Sequence, residues 1–286
     1  MILNDLMRRL IVSVISISIA ACLLIFAFNP WFQFAVASIV ALLTCIAIWE
    51  YGQFAKAKGG RMILPALIGI SACQVLSFFL SIYWFGSGGL LPLLVFFVGF
   101  LILNAMHFKE KEGALMDLAF SAFGLLYIAV PMGMLLAILY GTSGQDGRWW
   151  VAYLLVVTKI TDIGAYFGGN LLGRRKLAPT ISPGKTIEGA IIGLACAVAA
   201  SFAFYLLSTY SGAIRFQLGG IHWLWMGLVL GCIGQFGDLS ESLLKRDANK
   251  KDSNALPGLG GVLDLIDSLL FNAFIVYVYL NYASIP

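Results

Sequence analysis

Long apolar runs of similar length alternate along the chain with short polar connections. About 20 apolar residues are needed for one helix to cross a bilayer. The pattern therefore predicts nine membrane-spanning helices, at about 10–28, 31–49, 63–85, 89–106, 118–140, 149–167, 187–207, 219–238 and 260–281. Because the connections are short, no soluble domain fits between the spans. We expect an all-α integral membrane protein.

The first apolar run has a second interpretation. Arg8 and Arg9 precede it, and small residues lead up to Cys22, as in a signal peptide or a lipoprotein cleavage site. The apolar run continues to Phe28, however, which favours an uncleaved first span.

Composition and charge support a membrane protein and predict its orientation. Hydrophobic residues make up 60% of the 286 positions and charged residues 11%, against about 25% charged residues in a soluble domain. Basic residues concentrate in cytoplasmic loops. With a cytoplasmic N-terminus and an outer C-terminus, the inner segments hold fifteen of the 18 Lys and Arg residues: Arg8, Arg9, Lys56, Lys58, Arg61, Lys109, Lys111, Arg174, Arg175, Lys176, Lys185, Lys245, Arg246, Lys250 and Lys251. The net charge of +4 therefore needs no nucleic-acid partner.

Ionisable residues divide the chain into two regions. In residues 1–148, about five spans, Glu50 and Asp117 lie at predicted span ends, and we expect a structural, lipid-facing role. Residues 149–286, about four spans, carry carboxylates that the predicted topology brings to one depth: Asp162, Glu188, Asp238, Glu241 and Asp264. A charge at membrane depth is costly and indicates a functional site. We predict that the second region is catalytic, with a polar site on the cytoplasmic side.

Two acidic pairs indicate a cation site. Asp264 and Asp267 are three residues apart, as are Asp238 and Glu241, so each pair shares one helix face. Close carboxylates repel unless a cation or a proton lies between them, and Mg²⁺ takes oxygen ligands together with substrate phosphates. The alternative is that these acids form buried ion pairs with Lys159 or Arg246.

Basic residues beside the acids suit phosphate binding. Lys245, Arg246, Lys250 and Lys251 adjoin the acidic pairs, an arrangement typical of phosphoryl chemistry. A cluster that only reflects the positive-inside bias, or a patch that binds anionic lipids, is the alternative.

A second anion site is predicted where the seventh span begins. Ser182 is the predicted N-cap and Pro183 the first helical residue, so free N–H groups would lie beside Lys185 and Thr186. The sequence is not a Walker A loop, because Pro179 replaces the first glycine.

Taken together, these segments resemble the phosphatidate cytidylyltransferases, the CDP-diacylglycerol synthases. The family signature has its counterpart in Ser242–Arg246, Lys251–Asp252, the turn Pro257–Gly261 and the pair Asp264 and Asp267. The segments 161–169 and 182–189 resemble two further family blocks, so the resemblance covers 158–271. Two positions depart from the signature: Leu259 replaces a His and Leu265 replaces an Arg.

The resemblance implies transfer of the cytidylyl group of CTP to phosphatidic acid, at an inner-membrane site that faces the cytoplasm. It implies Mg²⁺ bound by Asp238 and Asp264, while a second ion, divalent or monovalent, stays open. The expected catalytic residues are Asp238, Asp264, Asp267, Lys245 and Arg246. The expected substrate-binding residues are Asp162, Ser182, Lys185, Thr186, Glu188, Glu241, Lys251 and Asp252.

The expected partners are CTP, phosphatidic acid and membrane lipids. The oligomeric state stays open, with a homodimer as one alternative. Another CTP-dependent membrane lipid enzyme, such as a polyprenol kinase or a CDP-ether-lipid synthase, is the nearest alternative. An ion-coupled transporter and an inactive scaffold are the others.

Overall fold

The structure is a computed structural model that describes residues 18–86, 89–108, 112–142, 144–211, 215–250 and 261–283. Helices dominate the described chain: α1 (18–26), α2 (Phe32–Ala57), α3 (Leu64–Phe85), α4 (Leu90–Met106), α5 (Ala114–Gly124), α6 (Val130–Tyr140), α7 (Gly147–Leu172), α8 (Ile187–Tyr210), α9 (His222–Asp247) and α10 (Val262–Val278). π-Helical turns at Leu125–Ala129 and Tyr279–Ala283 follow α5 and α10.

Six helical segments of the described chain are long and apolar enough to cross a membrane: Phe32–Ala57, Leu64–Phe85, Ala114–Tyr140, Gly147–Leu172, Ile187–Tyr210 and Val262–Asn281. α4 is apolar but has only 17 residues. α9 has 26 residues, but its second half carries charged residues from Asp238 onwards, and it is not among the six. The protein is therefore a multi-pass, helical membrane protein.

A proline explains the π-helical turn inside the span Ala114–Tyr140. Pro131 has no N–H group to bond the carbonyl of Tyr127, and its ring crowds that carbonyl. Such positions widen a helix locally, and π-turns occur often at functional sites. The side chain of Tyr127, within the turn, is buried.

The connection between α7 and α8 is a small antiparallel hairpin rather than a simple loop. Strand β1 (Lys176–Ala178) pairs with β2 (Ser182–Thr186). The prediction that Ser182 caps α8 and that Pro183 is its first residue is therefore wrong, because both lie in β2. Thr186 is the cap instead: its Oγ1 accepts a hydrogen bond from the N–H of Gly189 at 3.1 Å. Proline is compatible with an edge strand as well as with a helix start.

Glycines allow α7 and α8 to pack closely. A Cβ atom added at Gly189 would lie 2.6 Å from the carbonyl oxygen of Ala165, and one added at Gly193 would lie 2.8 Å from that of Thr161. Only residues without a side chain permit this approach. The contact fixes the start of α8 against α7.

Helix α10 packs against four others, α2, α6, α7 and α9. Its residues Leu263, Leu270 and Val276 are almost completely buried. Helices of both predicted regions, 1–148 and 149–286, therefore share one packed interior. We call the end of the bundle where α7 and α9 end and α8 and α10 begin the site end.

Candidate active site

Charged side chains from four segments meet near the site end. The Nζ atom of Lys185, on β2, lies 2.7 Å from Oδ2 of Asp238, on α9. Asp162 on α7 and Asp267 on α10 are close enough to Asp238 for their charges to interact. We call Asp162, Asp238 and Asp267 the acidic cluster. It joins residues that are up to about a hundred positions apart in the sequence.

A second ion-pair group lies beside the acidic cluster. The ammonium group of Lys245 is 2.8 Å from Oδ1 of Asp264 and also contacts Glu241, one helical turn earlier on α9. Glu241 is completely buried. Oδ2 of Asp264 accepts a hydrogen bond from the N–H of Gly261 at 2.7 Å, so this carboxylate also caps α10.

Ion pairs of these acids do form, but mostly with partners other than the expected Lys159 and Arg246, and their side chains are partly exposed. Lys185 and Lys245 hold Asp238 and Asp264. Lys159 lies 3.8 Å from Asp162. Arg246 makes no such pair among the described residues; its Nε donates to the carbonyl oxygen of Ile181 at 3.1 Å.

A cavity of about 420 Å³ opens between the hairpin, α7 and α9. Asp162, Asp238 and Lys185 line it, together with the predicted substrate-binding residues Ser182 and Thr186. Further lining comes from Ala165, Tyr166, Gly169, Asn170, Leu177, Gly184, Ala190 and Gln235. Charged groups and a concave surface thus coincide, as expected for a substrate pocket.

Three side chains hold the hairpin that carries Lys185. The carboxylate of Glu188 accepts hydrogen bonds from the backbone N–H groups of Arg174 and Arg175 at 3.0 and 3.1 Å. Thr186 caps α8, and Arg246 binds the carbonyl of Ile181 in the turn of the hairpin. Glu188, Thr186 and Arg246 therefore position the pocket wall in this structure.

Glu50, in the first half of the chain, reaches the start of α10. Its Oε1 accepts a hydrogen bond from the N–H of Val262 at 2.9 Å, and its Oε2 one from the N–H of Leu263 at 2.7 Å. The side chain is completely buried. The expectation that Glu50 lies at a span end, where charge costs little, is therefore wrong.

Asp117 lies at a span end as predicted, in the first turn of α5, but its side chain is buried. Its Oδ1 accepts a hydrogen bond from the N–H of Arg61 at 2.6 Å. It thereby ties the start of α5 to the loop before α3.

Tyr127 is a second contribution from the first half. Its hydroxyl is buried, has no hydrogen-bond partner within the described chain, and lies within electrostatic reach of Asp238, Glu241 and Asp267. Pro131, four residues later, is the sequence signal for the π-helical turn, but no local pattern predicts where such a turn directs the side chain of Tyr127.

Comparison with known proteins identifies the family. A family model described as the cytidylyltransferase family matches residues 7–283. A phosphatidate cytidylyltransferase of Chlamydia pneumoniae is 36% identical over 288 residues, which is 97% of this chain and 92% of the relative. The chain belongs to the cytidylyltransferase family.

Two further relatives carry the same name. A phosphatidate cytidylyltransferase of Chlamydia trachomatis serovar D is 34% identical over 97% of this chain and 93% of its own length. One of Staphylococcus aureus strain COL is 34% identical over 61% of this chain and 63% of its own.

Some positions of the resemblance lie outside the described residues: Lys251, Asp252 and Leu259. Leu265, where the cytidylyltransferase signature has an arginine, lies on the exposed side of α10 with 39% of its surface accessible. Its carbonyl oxygen accepts a hydrogen bond from Nζ of Lys159 at 3.1 Å. A cation from α7 therefore lies next to the position that lacks one.

The carboxylates fit a metal ion that is shared with a substrate. No three His, Cys, Asp or Glu side chains in the described ranges form a complete metal site. Mg²⁺, however, usually takes one or two carboxylates, several waters and substrate phosphates. Each oxygen of an ionised carboxylate accepts more than one partner, so Asp238 beside Lys185, and Asp264 beside Lys245 and the N–H of Gly261, can each accept a further cation.

Proposed function

We propose that this chain transfers the cytidylyl group of CTP to phosphatidic acid, and produces CDP-diacylglycerol and pyrophosphate for phospholipid biosynthesis. The family match over residues 7–283 and the relatives named phosphatidate cytidylyltransferase support the reaction. The observation that carries it onto this chain's own residues is the meeting of Asp162, Asp238 and Lys185 at one cavity, with the ion pair of Lys245 and Asp264 beside it.

In the proposed reaction, a phosphate oxygen of phosphatidic acid forms a bond to the α-phosphorus of CTP. The bond from that phosphorus to the bridging oxygen breaks, and pyrophosphate leaves with the electron pair. A phosphate monoester has a second pKa of about 6, so the nucleophile is already mostly ionised at pH 7. The protein therefore needs to align and neutralise phosphates rather than to remove a proton.

The basic residues of the site suit that task. Lys185 lines the cavity, and Lys245 lies beside Asp264, so both can hold phosphate oxygens while the carboxylates orient their ammonium groups. Arg246, Ser182 and Lys251 are proposed as further phosphate contacts. Asp162, Thr186, Glu188, Glu241 and Asp252 complete the proposed set as residues that orient these groups.

Mg²⁺ is the proposed cofactor. Asp238 and Asp264 would hold it, with Asp267 as a third ligand or as a residue that orients the other two. When bound, the ion neutralises charge on the phosphates of CTP and polarises the phosphorus that is attacked. The proximity of the three carboxyl groups in the acidic cluster supports this assignment.

The proposed topology has nine spans, with a cytoplasmic N-terminus and an outer C-terminus. The fifteen Lys and Arg residues of the predicted inner segments support it. The site end then faces the cytoplasm, where CTP is dissolved, at the inner leaflet of the cell membrane. A homodimer stays a prediction.

Two radiolabelled forms of CTP test the reaction. Purified protein in mixed micelles with phosphatidic acid and Mg²⁺ should transfer label from the α-phosphate of CTP into lipid, and none from the γ-phosphate. Transfer of the γ-label would instead identify a lipid kinase. No label in lipid from either form would refute the proposed reaction.

Asp264→Asn should lower the turnover by about 100-fold or more, because Asp264 loses the charge with which it would bind the metal and pairs with Lys245. The matched control is Asp247→Asn, since Asp247 forms an exposed ion pair with Lys58 at the same end of the bundle. Asp247→Asn should keep nearly full turnover. Near-wild-type activity in Asp264→Asn would remove Asp264 from the site.

A further inference from the structure

Lys159 is a charged residue on an apolar, outward-facing side of a membrane span. It lies in α7, and 47% of its side chain is accessible. Val156, Ile163 and Phe167, at neighbouring positions of the same helix face, are also exposed. Exposed apolar residues on a membrane span face lipid, so Lys159 borders the lipid phase. A cation at this position is energetically costly, and such residues usually mark a functional site.

The same lysine reaches the acidic cluster from the lipid side. Its Nζ atom donates to the carbonyl oxygen of Leu265 and lies 3.8 Å from Oδ2 of Asp162. Its charge also interacts with that of Asp267. Lys159 therefore connects the lipid-facing surface with the carboxylates of the site.

Its ammonium group is bound more loosely than those of the other two site lysines. Lys185 and Lys245 contact carboxylates at 2.7 and 2.8 Å, and their side chains are 24% and 14% accessible. An ammonium group has three donors. Lys159 uses one donor on a backbone carbonyl, and its ion pair with Asp162 is long. It can therefore accept an anionic ligand without breaking a short ion pair.

We propose that Lys159 binds the phosphate group of the lipid substrate. The assignment rests on the proposed function and gives Lys159 and Lys185 separate roles in it. A lipid phosphate that enters from the bilayer meets Lys159 at the border of the apolar face, whereas Lys185 lines the cavity at the hairpin. The ligand class is a membrane-embedded phosphate monoester, and the long lysine side chain allows its charge to extend toward the polar site.

Steady-state kinetics of Lys159→Met and Lys159→Arg test the assignment. Phosphatidic acid is varied in mixed micelles at saturating CTP, and CTP is varied at saturating phosphatidic acid. Lys159→Met should raise KM for phosphatidic acid by about 10- to 100-fold, the effect of a lost charge-assisted hydrogen bond. KM for CTP should change less than about twofold by the same reasoning, and Lys159→Arg should retain most of the affinity for lipid.

Methionine suits a lipid-facing helix position, so Lys159→Met should fold. Lys58→Met is the matched control, because Lys58 is a similarly exposed lysine that pairs with Asp247 at the same end. It should leave both KM values unchanged. A double variant checks whether a cation from a neighbouring position can replace Lys159. Leu265→Arg in the Lys159→Met background introduces such a cation at an exposed position. It should restore part of the affinity for phosphatidic acid.

The outcomes separate this assignment from the proposed reaction. Absence of lipid-linked cytidine with the wild-type protein would refute the reaction and with it the role of Lys159. An active wild type, together with an unchanged KM for phosphatidic acid in Lys159→Met, would refute only the role of Lys159. The same holds if KM rises equally for both substrates, or if neither Lys159→Arg nor Leu265→Arg restores it.

Discussion

Lys245 holds two carboxylates that would otherwise repel each other inside the protein. Glu241 is completely buried, and Asp264 comes from a different helix. A buried pair contributes little net stability compared with apolar residues, but the loss of one partner leaves an uncompensated charge. Lys245 therefore determines both the position and the charge balance of Asp264.

Lys245→Met should lower the free energy of unfolding by about 3–5 kcal/mol, because it removes the cation that lies between the buried Glu241 and Asp264. Lys58→Met, which breaks an exposed pair, should cost about 0–1 kcal/mol. Thermal unfolding in detergent measures both. Adding Glu241→Gln to Lys245→Met should restore part of the stability without restoring turnover. Equal stability of the two lysine variants would contradict this role.

Site chemistry at the residue scale could be predicted because it is local in sequence. The spacing of Asp264 and Asp267, and of Asp238 and Glu241, is a property of one helix turn. The ion-pair partners were not predictable in this way. Lys185 and Asp238 are 53 positions apart, and only the packing of β2 against α9 brings them together.

At the scale of elements, the start of α10 depends on a carboxylate from α2. The first N–H groups of a helix have no partner within the helix. Here Glu50 binds two of them and Asp264 binds the N–H of Gly261. The position of the Asp264 carboxylate is therefore linked to a residue from the first 148 positions.

Glu50→Gln should lower the free energy of unfolding by about 1.5–3 kcal/mol, since a charge-assisted hydrogen bond is lost and the amide NH₂ faces a backbone N–H. Turnover should fall with it. Glu112→Gln is the control, because Glu112 is exposed. A Glu50→Gln protein with wild-type unfolding temperature and turnover would contradict this role.

Gly189→Ala should separate α7 from α8 and lower both stability and turnover. The added Cβ would lie 2.6 Å from the backbone oxygen of Ala165, which cannot move without the helix. Overpacking of this kind costs about 1–3 kcal/mol. Gly69→Ala on α3 is the control, since nothing lies within 4 Å of its added Cβ. Unfolding temperatures that shift equally in the two variants would contradict a close contact between α7 and α8.

The hairpin shows why an element can be missed. Ser182 and Pro183 carry the signals of a helix start, but the same residues fit a short strand. Contacts outside residues 182–183 favour the strand over the helix. The N–H of Ile187 donates to the carbonyl of Arg175, and the carboxylate of Glu188 accepts from the N–H groups of Arg174 and Arg175. The first two residues of α8, Ile187 and Glu188, make these contacts, so the hairpin determines where the helix begins.

At the scale of the whole molecule, hydrophobicity predicts the helices well where they face lipid. The predicted spans coincide with α2, α3, α7, α8 and α10 to within a few residues at most ends. It is less decisive for α9, because this helix carries the charged residues that the site needs. A helix that builds an active site resembles a soluble helix in composition.

The proposed orientation can be tested with single cysteines at Lys58 and Ile221, after replacement of the five native cysteines. Lys58 lies at the site end, and Ile221 precedes α9 at the opposite end; both are exposed. A membrane-impermeant maleimide should label Ile221→Cys in spheroplasts, and Lys58→Cys only after the membrane is opened. The reverse pattern would place the site end outside.

The link between Glu50 and α10 has a consequence for synthesis. Glu50 and Val262 are 212 positions apart, so at about 5–20 residues per second the ribosome needs roughly 10–40 s to reach the N–H groups that satisfy this carboxylate. During that interval, α2 carries a charged group that has no partner in a dry interior. The nascent chain must keep Glu50 in contact with water until α10 is inserted and its N–H groups at Val262 and Leu263 bind the carboxylate.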